Sequence, residues 1–438
     1  MVKIGFGAFS TVWLARDLDE KYIFRFAFFE GEADIISRWV AVKICRGIEV
    51  PQRSSEASIL SEIRETGQGK VGVEQVLRLF DDFIIKGPNG FHECLITEVV
   101  APLTCSAVGE RCSIDALRQI MEGFAFLHEQ DPHISNLGVA LPQLEELDEQ
   151  DMADLFPTEM PFPVMSCLER KPLANLPAFM VALESLAGML EKQKLFPGGK
   201  KLQIKILDLG RAHKTSKAAM MLRGAMPDVV PPPEVLMHCL SKGDLRSPWS
   251  QAADVWAIAC TIFHVISGQH LSENSSGSHV RLTGCLELGG SPIESWLDFA
   301  RSELSLEPDA RRTKTRTLLA LIRSRTDRER TWERVAEDRH WNYKDEQVQV
   351  FFDLLKKMIV TDPVKRISMQ EALAHPFLLY EEFIRPHRVD ETTRRNKPAV
   401  PAENPIVDWG KSPATEVWED EEQYVLSGME IGWDGDKK

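Results

Sequence analysis

Gly5-Phe6-Gly7-Ala8-Phe9-Ser10-Thr11-Val12 and, downstream, Val40-Ala41-Val42-Lys43 are the stretches on which the fold turns. In the first, glycines remove the Cβ atoms that would keep a strand-turn-strand backbone away from a phosphate group. Alone, that pattern also describes an ordinary ligand-free glycine hairpin. The second is an apolar, β-branched strand ending on a lysine. Both in this order restrict the reading far more than either does by itself. Around them, residues 1–100 hold short β-branched and aromatic runs, Ser10–Leu14, Trp39–Ile44 and Glu93–Val99, divided by turn signals such as Gly87-Pro88-Asn89-Gly90. A small strand-rich domain is expected there.

From about Ser113 the period changes. Ile114, Leu117, Ile120, Met121, Phe124 and Leu127 recur at three- and four-residue steps behind a Ser113 cap, which predicts a buried amphipathic helix. Ala252–Ile266 repeats the pattern, as does Val348–Met358 with Val348, Phe351, Leu355 and Met358 on one face. The second half is therefore expected to be mainly helical. After about Arg385 the pattern dissolves into Pro, Thr and charge and ends in the acidic run Glu419-Asp420-Glu421-Glu422, a tail without a core of its own.

Composition narrows the class. A chain of 438 residues suits two or three domains, or one two-lobed body with a tail. Its formal charge of -14 argues against nonspecific nucleic-acid binding and favours basic partners, although surplus acid also serves as solvated surface. The eight cysteines form no CxxC pair, so reduced thiols in a cytoplasmic or nuclear protein are expected rather than a disulfide or zinc framework. The apolar stretch up to Ala15 is broken by glycines and closed by no A-x-A site, unlike a secretory signal. The longest apolar run, Trp256–Ile266, is too short to span a bilayer, and no membrane association is expected.

With Lys43 at the end of its strand, the chain resembles protein kinases, in which this lysine reaches the α- and β-phosphates of ATP. Gly5-x-Gly7-x-Phe9-Ser10-Thr11-Val12-Trp13-Leu14-Ala15-Arg16-Asp17 is similar to the SR-protein kinase branch, which also has Ser in place of the third glycine. The resemblance implies an α+β bilobal fold: a small β-rich N-lobe over 1–100, a larger mainly helical C-lobe over 101–385, and an acidic tail over 386–438. An ammonium among phosphates needs a carboxylate on the adjacent helix; Glu56 matches that position best and Glu62 is the alternative. His92-Glu93-Cys94-Leu95-Ile96-Thr97-Glu98 resembles the strand entering the hinge, with Thr97 as gatekeeper. Adenine would then meet backbone groups at Glu98 and Val100 between apolar walls from Ile4, Val12 and Ala41, with Gly5, Gly7, Ser10 and Lys43 around the phosphates.

Asp131 and Asn136 have the spacing of a proton-accepting Asp and a metal-holding Asn, and Asp131-Pro132-His133-Ile134-Ser135-Asn136 resembles the fungal D-x-H-x-x-N form. Ile204-Lys205-Ile206-Leu207-Asp208-Leu209-Gly210 is an apolar strand ending in a DLG form of the DFG motif, whose Asp would bridge Mg²⁺ to the phosphates. Pro232-Pro233-Glu234, Asp254-Val255-Trp256 and Asp362-Pro363-Val364-Lys365-Arg366 follow in family order, with Glu234 and Arg366 expected to form a buried ion pair. The sequence departs from the family just before Asp131: His128 lies three residues upstream, and the short strand and His-Arg pair are missing. A rebuilt loop, residues lost through an imperfect gene model, and a degenerate site all fit that departure. Without that arginine, phosphorylation of Thr215 or Ser216 is not expected to be the on-switch by that route.

The resemblance thus implies a monomeric, ATP- and Mg²⁺-dependent Ser/Thr kinase with Asp131, Lys43 and Glu56 as its catalytic residues. Its expected substrates are proteins with basic Arg/Ser-rich segments. The acidic residues Glu145, Glu146, Asp148, Glu149, Asp151 and Asp154 could steer such a segment or form a solvated helix face. The alternative is a pseudokinase scaffold that binds nucleotide or partners without efficient turnover.

Overall fold

The computed structural model describes residues 2–7, 9–17, 38–103, 112–130, 136–156, 161–163, 179–182, 185–195, 202–212, 231–241, 245, 250–271, 278–299 and 327–381. Residues 18–37, Asp131, Thr215, Ser216 and the tail lie outside them.

The β-branched runs at the start become strands β1 (Val2–Phe6), β2 (Ser10–Asp17), β3 (Arg38–Cys45), β4 (Leu79–Gly87) and β5 (Gly90–Thr97). They form one antiparallel sheet in the order β1-β2-β3-β5-β4. The Gly87-Pro88-Asn89-Gly90 turn closes the β4–β5 hairpin, where Gly90 takes a φ of 116° that a side chain would resist. Register then sorts side chains onto faces. Val12 lies opposite Lys43, Gly5 opposite Val12, and Ala41 opposite Thr97, so these five residues share one face of the sheet.

Helix α1 (Ser55–Thr66) packs against that face. Its start is set by Ser54, whose side chain accepts from the Ala57 N–H, and its buried stripe is Glu56, Ala57, Leu60, Ser61 and Ile63. Glu62, six residues from Glu56, falls off the stripe and is exposed.

Beyond β6 (Val100–Pro102) comes α2 (Ile114–Gln130), the helix predicted behind Ser113; the Leu117 N–H donates to the Ser113 carbonyl at 3.2 Å. Strand β7 (Asn136–Ala140) follows after five residues. Helix α3 (Glu149–Leu155), the short strands β8 (Pro161–Pro163) and β9 (Phe179–Val181), and α4 (Leu186–Lys192) lead to β10 (Ile204–Leu207). β10, β7 and β6 pair as a three-stranded antiparallel sheet. Gly138 is demanded at its centre, since a Cβ there would stand 2.8 Å from Leu207 Cδ1 and 2.9 Å from the Ala101 carbonyl oxygen.

The remaining described elements are helices α5 (Pro233–Leu240), α6 (Gln251–Ser267), α7 (Ser278–Gly289), α8 (Arg328–Asp338), α9 (Glu346–Met358) and α10 (Met369–Leu373). Helix α9 buries Val348, Phe351, Phe352, Leu355 and Met358, each worth about 1.5–3 kcal/mol for a large apolar side chain taken from water. Phe351 and Phe352 join Trp332, Trp341 and Phe377 with centroids 5.0–6.0 Å apart. The expected Glu234–Arg366 ion pair is present, fork to fork, with both bonds 2.6 Å long. Among the described residues no helix is long and apolar enough to cross a membrane.

Several contacts among the described residues bind the strand-rich and helical parts. The Leu77 N–H donates to the Ile206 carbonyl at 3.0 Å. In addition, the segment after β7 reaches back to the first sheet: Trp39 Nε1 donates to the Leu147 carbonyl at 2.9 Å and Arg16 pairs with Glu149 at 2.6 Å.

Candidate functional site

Lys43, Glu56 and Asp208 come together where the two parts meet. Strand β3 presents the lysine, the first turn of α1 presents the glutamate, and Asp208 follows directly on β10. Lys43 Nζ donates to both Glu56 oxygens, at 2.8 and 2.7 Å, and stands 3.3 Å from Asp208 Oδ1. Of the two candidate glutamates, it is Glu56 that meets Lys43.

The charges are unequally shared. Burial by itself lowers the pKa of Lys43, but Glu56 and then Asp208 outweigh it and leave the ammonium above its usual value. Burial pushes the Glu56 carboxyl up; Lys43 opposes that, while Asp208 and Glu93 add to it. One cation thus serves several carboxylates. The side chain of Glu56 is 5% exposed and that of Asp208 51%, so the surplus negative charge faces outward on Asp208.

Asp208 also carries strain. Its φ of 58° and ψ of 65° place a residue with a Cβ in the left-handed region, which costs of order 1–3 kcal/mol and needs support from its surroundings. That support comes from the turn Leu209–Arg211, with Leu209 fully buried and the Gly210 carbonyl accepting from Ser55 Oγ at 3.2 Å. A Cβ on Gly210 would lie 3.2 Å from Asp208 Oδ1, a tight contact, and 3.4 Å from Glu56 Oε2, an ordinary one.

Most of the other predicted residues of the first sheet lie on the same face as this cluster. Gly5, Val12, Ala41 and Thr97 share the face of Lys43, and Ile4 lies half-buried at an irregularity in the β1–β2 register. The Gly7 N–H donates to the Ser10 carbonyl at 2.8 Å and closes the hairpin. A Cβ on Gly7 would meet nothing within 4 Å, so packing does not require that glycine. At the crossing between the two parts, the Leu141 N–H donates to the Val99 carbonyl and the Leu103 N–H to the Leu137 carbonyl. Strand alternation then turns the N–H and C=O of Val100 away from β7. Glu98 sits differently: its N–H donates to the Arg78 carbonyl at 3.2 Å, and its own carbonyl accepts from the Thr97 hydroxyl at 3.1 Å.

Asn136 starts β7 opposite Leu207, which sets its backbone beside Asp208. Asp131 lies outside the described residues. The helix before it is nonetheless fixed at its end: His128 Nε2 lies 3.1 Å from Asp254 Oδ2 with both side chains buried, and Gln251 Nε2 donates to the His128 carbonyl at 2.7 Å. Helix α2 runs to Gln130, leaving no strand between it and Asp131.

Sequence reasoning missed two polar links here. Lys205, buried in β10, donates to the Glu74 carbonyl at 2.7 Å and pairs with Glu98 at 2.9 Å. The signal was a lysine inside an otherwise apolar strand, which needs a partner if buried. Glu93, also buried, accepts from the Ser54 N–H at 2.8 Å.

Residues 192–378 match the family model described as a protein kinase domain. A serine/threonine protein kinase of Aspergillus fumigatus is 22% identical over 400 residues, covering 86% of this chain and 83% of the relative. Mitogen-activated protein kinase 2 of Oryza sativa is 29% identical over 199 residues, 42% of this chain and 41% of the relative. Mouse SRSF protein kinase 3 is 28% identical over 136 residues, 29% of this chain and 21% of the relative. The match thus spans less than half of the rice and mouse proteins and most of the fungal one. Sheet, hinge and helical part together are the bilobal α+β protein kinase fold.

Proposed function

We propose that this chain, which carries a protein kinase domain, is an ATP- and Mg²⁺-dependent Ser/Thr kinase acting on serines in basic, Arg/Ser-rich protein segments. The observation that carries the reading is Lys43 held by both oxygens of Glu56 and by Asp208. A lysine so fixed is pre-positioned for phosphate oxygens, and the exposed Asp208 supplies a hard oxygen ligand suited to Mg²⁺. When bound, ATP would supply the transferable γ-phosphoryl group and Mg²⁺ the positive charge that offsets the surplus carboxylate.

The residues divide the work as follows. Lys43 would hold the α- and β-phosphates, with Glu56 fixing its direction. Asp208 and Asn136 would hold the metal. Ile4, Val12 and Ala41 would flank the adenine, and Val100 would bind its edge through backbone groups. Asp131 would orient the substrate hydroxyl and accept its proton. The preference for basic segments is supported by the net charge of -14 and by the similarity to an SRSF protein kinase. The exposed carboxylates at 145–154 add less than their number suggests, because Asp148 and Asp151 cap α3 and Glu149 pairs with Arg16.

One observation favours a second reading, a pseudokinase scaffold: helix α2 ends one residue before Asp131, where protein kinases have a strand and a longer loop. Transfer from labelled ATP·Mg²⁺ to an RS-repeat peptide and to an acidic peptide separates the two. Transfer to the RS peptide that is lost in Lys43→Met and Asp131→Ala is the expected result. ATP binding without transfer to either peptide would establish the scaffold.

A further inference from the structure

We infer that Glu93, a carboxylate that none of the roles above uses, is a positioning residue that holds helix α1 so that Glu56 meets Lys43. The inference rests on the proposed role of that pair. Glu93 is 5% exposed, and a carboxylate taken out of water needs compensation. It finds it at the head of α1, where its Oε1 accepts from the Ser54 N–H at 2.8 Å. Ser54 is the N-cap of the helix, so the carboxylate lies at the positive end of the helix dipole.

The placement links the sheet to the glutamate. Lys43 and Leu95 are register partners across β3 and β5; Glu93, two residues from Leu95, shares the sheet face of Lys43. Ser54 precedes Glu56 by two residues, about 3 Å of helix rise. A tether at Ser54 therefore fixes the height of Glu56 over Lys43. On the other side, Arg53 forks onto Asp82 at 2.9 and 2.7 Å and donates to Ser61 Oγ at 2.5 Å. Arg53 binds α1 to β4 and Glu93 binds it to β5, and only the latter lies on the strand beside Lys43.

The test uses the full chain in three forms: wild type, Glu93→Gln, which keeps an acceptor oxygen, and Glu93→Ala, which does not. Deuterium uptake over 54–66 reads the helix without reference to activity, and fluorescent ATP-analogue affinity reads the site. In Glu93→Ala, uptake is expected to rise in that segment while the strands of the sheet keep their protection, and nucleotide affinity to fall about tenfold, the worth of one hydrogen bond to a charged group. Glu93→Gln is expected to stay near wild type in both. In a Glu56→Gln background, Glu93→Ala is expected to cost no further affinity, because its effect passes through Glu56. Unchanged uptake in Glu93→Ala, a rise spread evenly over the chain, or full additivity with Glu56→Gln would each overturn the assignment. A wild type that binds no nucleotide would instead overturn the proposed function, and the uptake data would still decide the tether.

Discussion

The molecule contains two charge clusters that look alike in a list of ion pairs and differ in every physical respect. At Arg366 the guanidinium has no exposure and every bond is internal: two to Glu234, and one each to the carbonyls of Val360, Ala252 and Thr361, with the ring of Trp256 5.0 Å from its centre. One cation meets one carboxylate and the remaining donors meet backbone oxygens. At Lys43 one ammonium meets two carboxylates, a third lies close by, and Asp208 is half exposed. The first cluster is complete as it stands. The second has more negative charge than its cation balances, on a strained and half-exposed residue. Completeness is what an element of the fold needs; an imbalance on a left-handed Asp is what the proposed metal would answer.

The strongest way to break that contrast is to remove Arg366. Arg366→Ala leaves Glu234 buried without a counter-ion and should cost about 3–5 kcal/mol of unfolding free energy, read by urea or thermal melting. A loss below about 1 kcal/mol, the range of a surface pair, would mean that the cluster is not the closed unit described. Asp208→Asn probes the other side. Peptide phosphorylation should fall about 100-fold, equivalent to about 2.7 kcal/mol of barrier. Melting should hardly change, since the substitution removes a like charge from beside Glu56. A large fall in stability with activity preserved would exchange the roles assigned to the two clusters.

Much of this was legible before any coordinates. The glycine hairpin, the Val40–Lys43 strand and the apolar strand ending at Asp208 are local patterns, and each became the predicted element. The choice between Glu56 and Glu62 was also within reach, because Glu56, Leu60 and Ile63 follow the i, i+4, i+7 spacing of a buried stripe and Glu62 does not. What stayed hidden were contacts between residues far apart in the chain. Nothing local to Glu93 says that its carboxylate meets Ser54, or that Lys205 meets Glu98, because such pairings depend on how a strand and a helix dock. The acidic residues from Glu145 to Asp154 read as either a steering surface or a solvated helix face, yet Glu149 ties back to Arg16 and the neighbouring Leu147 carbonyl to Trp39. Charge is cheap at a surface and informative when buried, and burial is what a sequence states least directly.

The smallest effect is a slope, and it sharpens the contrast through pH. Both Lys43 and Glu56 have folded-state pKa values raised above their ordinary ones, 10.5 and 4.5. A raised value means that the folded state holds the proton more tightly, so the associated stability is present below the unfolded value and is lost as pH rises through the folded one. For Lys43 that loss begins only above about pH 10.5, and the ammonium contributes fully at neutrality. For Glu56 the loss begins just above pH 4.5, because burial, with Asp208 and Glu93 adding to it, works against the charged form. The stability of wild type relative to Glu56→Gln should therefore decline as pH rises from 4.5 toward 7, the opposite of an ordinary salt-bridged carboxylate, whose contribution grows over the lower part of that range. Urea midpoints of the two proteins at half-unit pH steps give the sign directly. A rising difference would mean that Lys43 alone governs Glu56 and that the cluster is as balanced as the one at Arg366. A declining difference that flattens in Asp208→Asn would locate the imbalance in the second carboxylate.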